Sequence, residues 1–157
     1  MSSKEIYLDE AITVVEEVLA SGGEFKMYPK GISMLPLIKS EKDSVVLVRE
    51  PDSALKKYDI AFYKRDNGQF VLHRVMSCEN DGTYTMCGDN QTFLEPGIRA
   101  DQIIGKVARL YKKEKLLRFD GLRYKIYLAT WCSMRVRLFL RLPKRALAKI
   151  KRIFAKS

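Results

Sequence analysis

Residues 59–77, DIAFYKRDNGQFVLHRVMS, decide the fold class. Two runs rich in aromatic and β-branched side chains, Asp59–Lys64 and Gln69–Ser77, flank Asp66-Asn67-Gly68. That junction supplies residues that tolerate positive φ, so the pair predicts an antiparallel hairpin. The same signature recurs on both sides. Thr83–Cys87 follows a second turn, Asn80-Asp81-Gly82, and Ser44–Arg49, Ile103–Tyr111 and Leu116–Phe119 have similar composition. Six short strands within residues 25–119 predict a mainly β domain, α+β by class, built as a curled sheet or small barrel.

A helix is expected ahead of them. Leu8, Ile12, Val15 and Leu19 fall on one face between residues 4 and 20, Ser2 with Glu5 offers a capping box, and Gly22-Gly23 is a stop signal. Its expected role is to cover one side of the core. The chain therefore reads as an N-terminal helix (1–24), a β domain (25–120) and a tail (121–157).

Charge separates the tail from the rest. Of 29 Lys and Arg residues, 11 lie in 121–157, which holds no Asp or Glu; the first 120 residues carry 18 basic and 19 acidic side chains. The body is nearly neutral and the tail is a cation. With 46% apolar and 31% charged residues, the chain is not disordered as a whole. In the tail, Tyr127 and Trp131 precede Arg135, Arg137 and Arg141. Pro143 then breaks the helix, and Lys144, Arg145, Lys149 and Arg152 alternate with Leu147, Ile150 and Phe154. This pattern reads as an in-plane binder of an anionic membrane surface, with packing on the β body as the bland alternative. The longest uncharged apolar run there, Ile126–Met134, has nine residues, well short of a membrane span. The N-terminus MSSKEIYLDEAITVVEEV lacks a secretory pattern. The expectation is a cytoplasmic protein, peripheral on the inner membrane face. Nucleic acid is not an expected partner.

Three cysteines without zinc spacing and a single histidine give no metal site, and no cofactor is expected. Cys78 and Cys87 flank a predicted strand and read as core thiols.

The candidate chemistry centres on Ser33, in Pro29-Lys30-Gly31-Ile32-Ser33-Met34-Leu35-Pro36. A glycine and two prolines around a serine make a fixed loop that presents a hydroxyl with backbone N–H groups behind it. A serine needs a base to become a nucleophile, and His73 is the one histidine. It sits in a predicted strand on the face of Val71 and Val75. A third group must orient the imidazole; Asp89, in Gly88-Asp89-Asn90, and Glu95 are the candidates. Each residue alone has an ordinary reading: a packed histidine, a turn serine, an Asx-turn aspartate. Their conjunction in one β domain gives them weight.

Five segments occur in order: Gly31-x-Ser33-Met34-x-Pro36; Lys57-Tyr58-Asp59-Ile60-Ala61-Phe62; Val71-Leu72-His73-Arg74-Val75; Gly88-Asp89-Asn90; and Asp101-x-Ile103-Ile104-Gly105-Lys106-Val107. Together they resemble the signal peptidase I and LexA-like serine peptidases over about residues 25–110. The resemblance implies a coiled β-sheet and peptide-bond hydrolysis by a serine. Bacterial members carry a lysine where this chain has His73; a histidine there is similar to the archaeal and endoplasmic-reticulum-type signal peptidases, which lack the bacterial glycine-rich segment after the base. On that likeness Ser33 is the nucleophile and His73 the general base. Asp89 matches the aspartate of the Gly-Asp-Asn box and ranks ahead of Glu95, which falls near a later aspartate.

Three departures matter, the first being that this sequence, like the histidine subtype, lacks the bacterial glycine-rich segment after the base. No N-terminal anchor like that of signal peptidases is present in the sequence. Gly31 stands where many bacterial relatives carry a hydroxyl that donates to the oxyanion, so the N–H groups of Ser33 and Ile32 must serve. One lost donor costs about 3–4 kcal/mol in enzymes that depend on it. Three readings follow: a serine endopeptidase acting on a peptide or protein near the membrane; a catalytically inactive peptide-binding or membrane-adaptor module of the same fold; and a self-cleaving regulator.

Overall fold

The computed structural model describes residues 3–49, 54–133 and 136–137. The chain divides into two compact units, 1–118 and 119–157, so the N-terminal helix belongs with the β domain.

The first unit opens with α1 (Ser3–Ala20). Its stop is a paired hydrogen-bond motif, with Gly23 N–H donating to Val18 O (2.9 Å) and Gly22 N–H to Leu19 O (3.2 Å). Gly22 sits at φ +78°, the left-handed conformation such an ending requires. Val15 and Leu19 are buried, and Leu19 approaches Gly105 so closely that a Cβ there would lie 2.9 Å from it. Burying these two side chains contributes roughly 1.5–3 kcal/mol each. The capping residue expected at Ser2 lies outside the described residues.

Eight strands follow: β1 (Phe25–Met27), β2 (Asp43–Val48), β3 (Ile60–Lys64), β4 (Phe70–Cys78), β5 (Tyr84–Cys87), β6 (Glu95–Ile98), β7 (Ile103–Lys112) and β8 (Lys115–Leu117). They form one open antiparallel sheet in the order β1-β2-β7-β3-β4-β5-β6, with β8 paired to β7. Long β7 is flanked by β2 along most of its length and by β3 and β8 on its other side.

Both predicted hairpin turns form. Gly68 (φ +83°) and Gly82 (φ +82°) occupy their left-handed positions. The turns close through Arg65 N–H to Gln69 O and Glu79 N–H to Thr83 O, each at 2.9 Å. Two strands were not anticipated. β1 is only three residues long. β6 contains Pro96 and Gly97, a breaker pair that reads as a turn but is tolerated on an edge strand.

One face of β3–β6 carries a cluster of Leu55, Ala61, Tyr63, Val75, Tyr84, Met86 and Ile98, with Val71 and Ile103 against it. Asp43, also buried, takes hydrogen bonds from Lys39 N–H (2.8 Å) and Lys112 Nζ (2.7 Å), anchoring the end of the Ser33 loop to β7. Burial opposes its charge, and those donors prevail and hold its carboxyl below the usual range. Cys87 is buried, whereas Cys78 is exposed at the end of β4, so only one of the two thiols expected in the core is there.

The second unit contains α2 (Leu122–Thr130), with Tyr124 tilted against Phe119 (4.9 Å between ring centroids) and stacked on Tyr127 (6.2 Å). No helix among the described residues is long and apolar enough to cross a membrane. Arg137 is buried, with Nε donating to Trp131 O (3.2 Å), which removes it from the cations expected to face a membrane. Arg135, Arg141, Lys144, Arg145, Lys149 and Arg152 lie outside the described residues, as does the break expected at Pro143.

Candidate active site

Ser33 sits half-buried in a loop held from several sides. Gly31 has φ +97°, and the Leu35–Pro36 peptide is cis. Gly31 N–H donates to Ser40 Oγ (3.2 Å) and Ile38 N–H to Met34 O (2.9 Å). The Gly88-Asp89-Asn90 turn clamps the loop directly: Asn90 N–H donates to Ser33 O (2.7 Å) and Asn90 Nδ2 to Ile32 O (3.1 Å). A Cβ on Gly88 would lie 2.7 Å from Ser33 O, so only glycine permits this approach. Among the described residues, the N–H groups of Ile32 and Ser33 have no hydrogen-bond acceptor.

Ser33 and His73 line the same cleft, of about 240 Å³, with Met34, Phe70, Leu72 and Gln91 among its walls. No hydrogen bond joins the Ser33 hydroxyl to His73. The imidazole is rigidly mounted. His73 lies opposite Ala61 in the β3–β4 ladder, and its side chain is only 2% exposed.

The two candidate acids go different ways, and sheet register explains why. Val75 pairs with Met86, and Met86 pairs with Glu95. Directly opposed residues share a face, so Glu95 lies on the face of Val75 and His73. Glu95 Oε2 is 3.8 Å from His73 Nδ1. Between them stands Tyr63, whose hydroxyl donates to Glu95 Oε2 (2.9 Å) and lies 3.2 Å from His73 Nδ1. Arg65 grips the same carboxylate with Nε and Nη2, each at 2.6 Å. Arg74, the residue after His73, faces the other side of the strand. It forks onto Asp89 through Nε and Nη2, both at 2.7 Å, with both side chains fully buried. Asp89, ranked first from its motif, is thus half of an ion pair that secures the turn clamping Ser33, and Glu95 is the acid beside the imidazole.

Electrostatics follow this geometry. Burial pushes His73 down to about 4; Glu95 pulls it up, Arg65 opposes, and Asp89 adds the smallest upward pull. The imidazole is neutral at pH 7, the state a general base needs. Burial alone would raise Glu95, but the Arg65 fork and the Tyr63 hydroxyl outweigh it and keep its carboxyl below its ordinary value. Burial and then the hydrogen bond to Glu95 hold the Tyr63 phenol far above its own value, so it stays protonated.

Comparison with protein-family models, curated proteins and solved structures found no match. The site therefore stands on its own geometry. Tyr63, Arg65 and Asn90 were missed in the sequence. Tyr63 and Arg65 read there as strand and turn residues. The available signal for Tyr63 was positional: two residues along from Ala61 in the hairpin, it shares the face of His73, and a buried phenol requires a polar partner.

Proposed function

We propose that this protein is a serine endopeptidase with the coiled β-sheet of the signal peptidase I and LexA-like group, in its Ser–His form. The observation that carries the reading is one cleft lined by a clamped serine and a buried, neutral histidine with a carboxylate behind it. In the reaction, Ser33 Oγ attacks the scissile carbonyl carbon while His73 takes the hydroxyl proton. The oxyanion is received by the N–H groups of Ser33 and Ile32. His73 then returns the proton to the leaving amine, and water cleaves the acyl-enzyme by the same steps in reverse order of roles. A nucleophile and base without a mutual hydrogen bond are common in a free site and tighten on substrate binding.

The cationic tail supports a location at an anionic membrane surface, since each Lys or Arg there contributes about 1 kcal/mol. The test is cleavage of a diverse peptide mixture with anionic vesicles, read by mass spectrometry, for wild type, Ser33→Ala and His73→Ala. New termini lost in both variants are expected. Cleavage that survives His73→Ala would overturn the base assignment. The missing Ser33–His73 hydrogen bond favours a second reading, a peptide-binding module without turnover. Folded, vesicle-bound protein that cleaves nothing would decide for it.

A further inference from the structure

We propose that Tyr63 is a positioning residue: its hydroxyl, interposed between His73 Nδ1 and the Glu95 carboxylate, locks the imidazole with its proton on Nδ1 and leaves Nε2 bare. Taken as a statement about catalysis, the proposal rests on the peptidase reading above; as a statement about the ring, it does not.

The argument is one of proton accounting. Glu95 receives two hydrogen bonds from Arg65, at 2.6 Å each, and a third contact from Tyr63 at 2.9 Å. A carboxylate gripped by a guanidinium fork is ionised, and an ionised carboxylate only accepts. The single phenolic proton of Tyr63 therefore points at Glu95. What Tyr63 then offers His73, 3.2 Å away, is an oxygen lone pair. Only an Nδ1–H can answer a lone pair, so the neutral ring carries its proton there. Nε2, across the ring, is left as the nitrogen able to take a proton from a serine.

The surroundings make this a constraint and not a preference. Tyr63 is 0% and His73 2% exposed, so water is not at hand to replace either partner. A mismatched tautomer would oppose two lone pairs in a buried site, which costs far more than in water. The strand register enforces the contact, because Ala61 faces His73 directly and Tyr63 lies two residues on, on the same face. Arg65 follows as the residue that keeps the whole relay in one protonation state.

The chain has one histidine, which makes the test unambiguous. Full-length protein labelled with ¹⁵N-histidine is examined at pH 7 by two-bond ¹H–¹⁵N correlation, with no substrate present. Wild type is expected to show a protonated Nδ1 and an unprotonated Nε2. Tyr63→Phe is expected to move the tautomer ratio at least about tenfold toward Nε2–H and, with a substrate in hand, to lower kcat about a hundredfold with little change in KM. Should Tyr63→Phe fail to fold, judged by amide dispersion, wild type carries the test through the nuclear Overhauser contact expected between the Nδ1 proton and the Tyr63 ring, whose absence counts against the proposal. A wild-type ring protonated on Nε2, or a ratio unmoved in the folded variant, overturns the proposal. Failure of the peptidase reading looks different: an Nδ1–H ring, displaced by Tyr63→Phe, in a chain that cleaves no peptide.

Discussion

Replacing Asp89 by Asn separates the two acids by experiment. Both Asp89 oxygens accept from Arg74 at 2.7 Å, and neither side chain has solvent exposure. Removing one charge from a buried pair strands the other, at a typical cost of about 3–5 kcal/mol. Domains of this size shift their melting midpoint by roughly 4 °C per kcal/mol, so the expected fall is on the order of 10–20 °C. Part of the loss passes to Ser33, because Asn90, next to Asp89, holds the Ser33 loop through two hydrogen bonds. Glu95→Gln should behave oppositely. Its side chain is partly exposed and keeps an acceptor for Arg65, so the midpoint should move by only a few degrees while cleavage falls at least tenfold. Thermal unfolding by circular dichroism, run beside peptide cleavage below both midpoints, reads both quantities. An Asp89→Asn variant that melts like wild type yet cleaves nothing would refute this assignment and return the orienting role to Asp89.

Four further outcomes follow from the site. His73, at about 4 in the folded protein, lies below its ordinary value of 6.5. Between those values the unfolded chain binds the extra proton, so stability should fall as pH drops from about 6.5 to 4, by about 3 kcal/mol in all. Urea unfolding at pH 7 and pH 5 should show the fall, and His73→Asn should flatten it; an equal slope in the variant would contradict it. The acid limb of kcat/KM should correspondingly lie near pH 4 and not near 6.5. Gly88→Ala should lower cleavage at least tenfold and cost about 1–3 kcal/mol, because the added methyl meets the Ser33 carbonyl at 2.7 Å; wild-type kinetics would show that the loop yields freely. Gly31→Ser adds a hydroxyl into open space, but at φ +97°, so a stability loss of about 1–2 kcal/mol with no gain in kcat is expected. A rise in kcat would mean the loop can accommodate a donor there.

Much of this was legible in the sequence, and the gaps have physical causes. The hairpins could be read because Asp66-Asn67-Gly68 and Asn80-Asp81-Gly82 state their turns locally. Ser33 and His73 could be singled out because the loop chemistry and the lone histidine are visible in one dimension. The choice between Asp89 and Glu95 could not be made that way. It depends on β6, a strand disguised by Pro96-Gly97, and on register, which carries Glu95 across β5 to the face of His73. Asp89 follows an intact motif, yet its partner is set by Arg74 pointing away from His73 on the next position of the same strand.

The position of β7 also divides the site by the order in which its parts can form. Tyr63, His73 and Glu95 belong to β3, β4 and β6, which connect through successive hairpins whose contacts are short in sequence. The Ser33 loop precedes β2, and β2 joins the rest of the sheet by pairs such as Val45 with Leu110, 65 residues apart. Closing that span carries the larger entropic cost and comes late. His73 with Tyr63 and Glu95 is thus a local folding product, whereas Ser33 is set in place only when β2 has met β7. A partly folded chain would hold His73 and its partners facing no serine, so a peptidase built this way would gain activity only once the domain is complete.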